Sequence, residues 1–133
     1  MNKIEHLGIA VSNLDEAILA YTEILQTPCY KIEAVESEGV RTAFFKVGES
    51  KIELLEATNS ESPIAKFIDK KGSGIHHIAF DVTDIHQAIA HYQEKGFTLI
   101  NNEPKSGADN KLIAFMHPKS TNGVLIELCQ EKR

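Results

Sequence analysis

Residues 4–21, IEHLGIAVSNLDEAILAY, and residues 75–92, IHHIAFDVTDIHQAIAHY, align without a gap at an offset of 71. Under that offset His6 meets His77, Val11 meets Val82, Ser12 meets Thr83, Ala17 meets Ala88 and Tyr21 meets Tyr92. The match persists to Ala43-Phe44 against Ala114-Phe115. Three extra residues then enter the second copy, so that Ile52-Glu53-Leu54 lies over Ile126-Glu127-Leu128 at an offset of 74. The extra residues fall in HPKSTNG, residues 117–123, whose turn-forming composition marks a loop, and loops tolerate insertion. The chain is therefore read as two copies of one supersecondary unit.

Each copy reads as strand, helix, then three strands. Residues 3–11 alternate apolar and polar side chains as a strand does. Ser12 and Asn13 offer cap oxygens, with Asp15 and Glu16 three residues beyond each, and a helix is expected to run to about Gln26. Ala17, Ile18, Tyr21, Ile24 and Leu25 form its apolar stripe. Strands are expected near 28–36, 40–48 and 50–57, separated by Glu38-Gly39 and Gly48-Glu49-Ser50 turns. The second copy predicts a helix capped by Thr83 and ending at Gly96, then strands near 97–101, 111–116 and 124–130. Between the copies, Ser62-Pro63 and Gly72 bracket a short helix, as a proline start and glycine stop require. The expected architecture is a single α+β domain over 1–133, with module 1 at about 1–57, a linker helix at about 58–74 and module 2 at about 75–133. Two βαβββ modules pairing their sheets would form an open, barrel-like metal-binding cleft.

Composition narrows the function. At 42% hydrophobic and 25% charged residues, the 133-residue chain is an ordinary globular sequence. Its formal net charge of -5, with both signs interspersed, supplies no basic stripe for nucleic acid. The apolar runs are strand-sized, and the N-terminus lacks the pattern of a signal peptide, so a cytoplasmic protein without membrane insertion is expected. Cys29 and Cys129 are read as buried free thiols in that compartment.

Strand parity selects the candidate chemistry. His6 shares a face with Ile4 and Gly8, His77 with Ile75 and Ala79, Glu53 with Leu55, and Glu127 with Leu125 and Cys129. For one histidine in an apolar strand, a locally hydrogen-bonded buried residue is the ordinary explanation. Here a histidine early in the first strand and a glutamate in the last strand recur in both copies. Pseudo-twofold symmetry would bring two imidazoles and two carboxylates to one point, a donor set suited to a divalent metal on rigid strands.

At these residues the sequence resembles a known family. IEHLGIAV, KIELLE, GIHHIAFDV and above all FMHPKSTNGVLIELCQ look like the signature segments of the vicinal oxygen chelate superfamily, and within it the chain is most similar to the methylmalonyl-CoA epimerases. The similarity spans nearly the whole chain, including ESPIAKFIDKKG and EPKSGADNK. It implies metal ligands at His6, Glu53, His77 and Glu127, the four that the repeat selects, and one divalent ion, whether cobalt, nickel, zinc or manganese. It implies an acyl-CoA substrate, a homodimer, and interconversion of (R)- and (S)-methylmalonyl-CoA by removal and return of the alpha proton through a metal-stabilised enolate. Glu127 is the implied base. One departure stands out: bacterial members commonly carry a second catalytic carboxylate three residues after the glycine of a Gly-Val pair, where Gly39-Val40-Arg41 here leads to Thr42. Threonine is no carboxylate base, which leaves water or a loop acid such as Glu36 or Glu38 for the opposite face.

The resemblance also admits a glyoxalase I-like lactoylglutathione lyase, which uses a similar metal arrangement, and a metal-free small-molecule binding module. Retention of all four candidate ligands argues against the module. A ring-cleaving dioxygenase would want a three-ligand face with positions open to oxygen, and the fourth protein ligand argues against it. Of the remaining histidines, His86 and His91 are expected on a solvated helix face, His76 as a packed residue of the wrong parity, and His117 as a turn residue or ligand contact. Lys105, Lys111 and Lys119 are candidates for the coenzyme A phosphates.

Overall fold

The computed structural model describes residues 1–132, with eight β-strands and three α-helices among them. In chain order these are β1 Lys3–Ala10, α1 Leu14–Leu25, β2 Lys31–Val35, β3 Val40–Val47, β4 Ser50–Ala57, α2 Pro63–Lys71, β5 Gly74–Asp81, α3 Ile85–Glu94, β6 Lys105–Gly107, β7 Lys111–Met116 and β8 Ile126–Glu131. The chain divides into two compact units, an N-terminal one of His6–His76 and a C-terminal one made of Met1–Glu5 and the chain from His77 onward. The α+β fold of two βαβββ modules expected from the repeat is the fold observed. No helix among the described residues is long and apolar enough to cross a membrane.

In the N-terminal unit the strand order is β2-β3-β4-β1, with β1 parallel to β4 and the other pairs antiparallel. One face packs on α1: Leu14 is fully buried with Ala43, Phe45 and Leu54, and Ala17, Ile18, Tyr21 and Leu25 pack around them. Burying a leucine of this kind contributes about 2 to 3 kcal/mol. Ile24, assigned to that stripe by periodicity, is 65% exposed, because the helix presents a single face and Ile24 lies beside it. The other face carries Ala10, Val40 and Leu55, covered at that end by Ile64, Phe67 and Ile68 of α2. As expected, α2 starts on Ser62, whose hydroxyl accepts from the Ile64 amide, and ends at Gly72 with φ 76°.

The C-terminal unit repeats the plan as β5-β8-β7-β6, with β5 parallel to β8. Here α3 buries Ile85 and Ile89 against Leu99, Ala114, Met116 and Leu128. The repeat is faithful at the helix starts. Asn13 Oδ1 accepts from the Glu16 amide and Asp84 Oδ1 from the Gln87 amide, both at 3.1 Å, so the second cap is Asp84 and not Thr83. The Thr83 hydroxyl instead meets the side chain of Asn2. In each unit the helix is also tied to the last strand: the Leu14 amide donates to Glu56 and the Ile85 amide to Gln130, each at 2.8 Å. These bonds satisfy N-terminal amides that a helix leaves without internal partners.

A strand near 97–101 does not form. The chain there runs along β7 through the Ile100 amide to the Phe115 carbonyl and the His117 amide to the Thr98 carbonyl. Asn101 Oδ1 then takes the Phe115 amide at 2.9 Å. A side chain occupies the position of a ladder acceptor, leaving one bridge, Leu99 to Met116, and the paired edge strand resumes only at β6.

Candidate metal centre

Parallel pairing places a strand residue beside a partner with the same outward direction, and the two units use this identically. Gly8 is registered with Glu53 and Ala79 with Glu127. In each unit the histidine lies two residues before the registered position, on the same face as the glutamate. His6 Nδ1 is 3.0 Å from Glu53 Oε2 in the N-terminal unit, and His77 Nε2 is 3.1 Å from Glu127 Oε1 in the C-terminal unit. All four residues are no more than 5% exposed.

Burial gives these contacts their meaning. A carboxylate removed from water costs several kcal/mol unless charge and hydrogen bonds compensate it. Each pair gathers a buried carboxylate and an imidazole nitrogen, and a bound cation would balance carboxylate charge there. The donors are nitrogen and carboxylate oxygen, the set that divalent metals such as zinc take. The residues present therefore fit the ion that the sequence implies. The aromatic rows hold the donors in place: Phe44 is registered with Glu53 and Phe115 with Glu127, and the Phe115 ring meets the His77 ring edge-on at 5.8 Å.

Other positions sort differently from expectation. Lys111 is buried, with its ammonium 3.9 Å from Glu5 and 3.4 Å from Glu131, so it serves an internal ion pair and is not presented to a coenzyme phosphate. Glu5, 2% exposed, was not singled out from the sequence. Alternation assigns it the face opposite His6, and its buried partner lies 106 residues away in the chain. Cys129 is buried on the Glu127 face of β8, and desolvation, with the charges of Glu127, Glu5 and Asp81, pushes its thiol far above the ordinary range. Cys29 is only half-buried and lies in the loop before β2. Both are free thiols. His76 packs edge-on against Phe67 at 5.0 Å, His86 and His91 are exposed on α3, and His117 Nδ1 accepts the Lys119 amide and fixes the turn after β7.

Thr42 is fully buried on the face of β3 that it shares with Phe44, beside Leu55 of β4. Among the described residues its hydroxyl is the one buried side-chain oxygen or nitrogen without a hydrogen-bond partner. Of the alternative loop acids, Glu36 is exposed and Glu38 half-buried in the turn after β2.

Residues 5–115 match the family model described as the glyoxalase/bleomycin resistance protein/dioxygenase superfamily. The chain is 40% identical over 132 residues to the uncharacterized protein YqjC of Bacillus subtilis, covering 99% of this chain and 94% of that protein. It is 37% identical over 132 residues to the ethylmalonyl-CoA/methylmalonyl-CoA epimerase of Cereibacter sphaeroides, covering 98% of each. A solved structure of Streptomyces coelicolor methylmalonyl-CoA epimerase, bound to 2-nitronate-propionyl-CoA, superposes with a TM-score of 0.95 at 35% identity, over 98% of this chain and 95% of that one. With its duplicated βαβββ plan and its full-length kinship to epimerases, the chain belongs to the glyoxalase/bleomycin resistance protein/dioxygenase superfamily.

Proposed function

We propose that this chain is a metal-dependent epimerase that interconverts (R)- and (S)-methylmalonyl-CoA, with His6, Glu53, His77 and Glu127 holding one divalent ion and the two units acting as one domain. The observation that carries the reading is the buried His–Glu pair repeated at equivalent register in both units. Kinship to epimerases of ethylmalonyl-CoA and methylmalonyl-CoA supports the substrate class. When bound, the cation supplies Lewis-acid stabilisation of negative charge developing on a thioester oxygen. Glu127 takes the alpha proton at its carboxylate, and the His77 contact holds that carboxylate in one orientation. Inversion needs a second proton carrier on the other face of the carbon. Thr42 has no carboxylate to offer, and we assign that transfer to water. A homodimer, the assembly usual in the family, working in the cytoplasm completes the proposal.

The test is exchange of the alpha proton of methylmalonyl-CoA in heavy water, run beside metal analysis of protein purified without chelators. Exchange with inversion, at about one metal per chain, is expected. Absence of exchange together with turnover of methylglyoxal and glutathione would move the chain to the lactoylglutathione lyases, and metal-free protein that binds a small molecule without turning it over would make it a binding module.

A further inference from the structure

We propose that Glu33 is the proton reservoir behind the water assigned above to the second face, an inference that rests on the epimerase reading. The strand ladder fixes its place. Glu33 is registered with Thr42 across β2 and β3, and Thr42 with Leu55 across β3 and β4. Registered residues point to the same side of a sheet, so Glu33, Thr42 and Leu55 form one row on the face that carries Glu53, two residues before Leu55. Lys31, Phe44 and Glu53 form the next row. Glu36 and Glu38 lie beyond the last ladder pair, Val35 with Val40, and belong to neither row.

The polarity of β2 is inverted. Ile32 is 50% exposed and Ala34 also lies in solvent, whereas Lys31 and Glu33 share the face of Phe44 and Thr42 and are partly covered. Their charges meet at 3.4 Å, and the Lys31 ammonium lies 4.7 Å from the centre of the Phe44 ring. Inward charge on an edge strand has an ordinary use, which is to deter pairing with another chain. What Glu33 faces sets this case apart. The Thr42 hydroxyl is fully buried and has no hydrogen-bond partner among the described residues. Leaving a buried hydroxyl unpaired is costly, and the cost is recovered where a polar guest arrives during function. Strands lie about 4.8 Å apart, so a water that enters with the substrate and bonds to Thr42 stands within reach of a carboxylate on Glu33.

The protons balance. From one isomer Glu127 removes the alpha proton, and the electron pair of the C–H bond passes into the enolate. The water on the other face then gives the carbon a proton and takes one from the Glu33 carboxyl. That turnover leaves Glu127 protonated and Glu33 ionised, and the other isomer runs the same steps in reverse. Solvent resets both carboxyl groups when the product leaves, and the Glu33 side chain, 35% exposed, meets it directly.

The test uses the full chain with its metal in heavy water, with each isomer of methylmalonyl-CoA supplied separately. Loss of the alpha-proton resonance reports exchange, and optical rotation reports inversion. Glu33→Gln keeps the length of a partly exposed side chain and should slow inversion of both isomers about a hundredfold. Exchange should divide by isomer: the one whose proton faces Glu127 still exchanges within about threefold of wild type. The other isomer loses exchange together with inversion. Glu33→Asp, which keeps a carboxyl, should restore inversion to within about tenfold of wild type. Protection of the strand edge, or the ion pair alone, predicts no division between isomers. Inversion by Glu33→Gln within about threefold of wild type, or equal loss of exchange from both isomers, overturns the reservoir. A wild type that neither exchanges nor inverts removes the epimerase reading itself, whereas a wild type that inverts beside an unimpaired Glu33→Gln removes Glu33 alone.

Discussion

Replacing Glu127 by glutamine separates the two jobs assigned to that side chain. The carboxylate is 5% exposed and 3.1 Å from His77 Nε2. Glutamine has the same length and keeps one oxygen for that contact, so the fold loses at most the difference between a charged and a neutral hydrogen bond, about 1 kcal/mol. A domain of this kind has about 5 to 15 kcal/mol in hand, and the variant should fold. What it lacks is a basic oxygen. General base catalysis contributes about a hundredfold to ten-thousandfold. At about 1.36 kcal/mol per factor of ten, that adds about 2.7 to 5.4 kcal/mol to the barrier. The assay is loss of the alpha-proton resonance of methylmalonyl-CoA in heavy water, at matched metal occupancy. The repeat provides the control. Glu53→Gln makes the same chemical change at the equivalent residue of the other unit, paired to His6 at 3.0 Å, and should cost metal affinity with at least about tenfold less effect on exchange by the loaded enzyme. Metal-loaded Glu127→Gln exchanging within about threefold of wild type would refute the assignment of the base, whatever the fate of the ligand set.

Further outcomes follow from the same geometry. His6→Ala and His77→Ala should each strip metal measured by elemental analysis, at a stability cost of about 3 kcal/mol for a buried pair broken, while circular dichroism stays that of the folded chain; full metal content in both variants would remove these ligands. Thr42→Val exchanges a buried hydroxyl without a protein partner for a methyl of the same shape, so stability should rise by about 1 kcal/mol and Tm by about 3 to 5 °C, and a lowered Tm would mean that the hydroxyl is bonded in solution. Burial and neighbouring carboxylates raise the Cys129 thiol above its ordinary value of 9.0, so the unfolded chain releases that proton first; the stability contribution is present below pH 9 and lost above it. In denaturant titrations Cys129→Ala should therefore flatten the alkaline decline by up to about 1.4 kcal/mol per pH unit, and parallel declines in the two proteins would contradict the shift.

The plan of the fold was legible because the sequence states it twice. Alternation in one strand is weak, but the same alternation at a fixed offset assigned strand, helix and three strands to each half, and it placed His6, Glu53, His77 and Glu127 on the faces where they are found. Finer choices rest on competition between groups of similar chemistry. Thr83 and Asp84 both carry cap oxygens, and Asp84 prevails while Thr83 is taken by Asn2, a residue of the chain's other end. The 97–101 segment has strand composition, and Asn101 halts it by offering a side-chain acceptor to Phe115. Lys111 reads as a surface cation until Glu5 is known to lie beside it. Each of these three involves a partner distant in sequence, which local periodicity does not encode.

The tie between helix and last strand bears on how this chain could have tolerated change. Glu53 and Glu56 sit on one strand, as do Glu127 and Gln130, so the donor and the anchor of the helix amide are spaced alike in both halves. A single residue gained or lost between them would turn every later side chain to the wrong face and release the helix at the same stroke. Length variation is thereby steered to the segment ahead of the strand. The second copy's three additional residues lie there, in the turn after β7, and the offset of 74 is already reached when β8 begins at Ile126 and still holds at Gln130. After a duplication, drift could lengthen the approach to that strand, while the strand itself was inherited as an indivisible ruler.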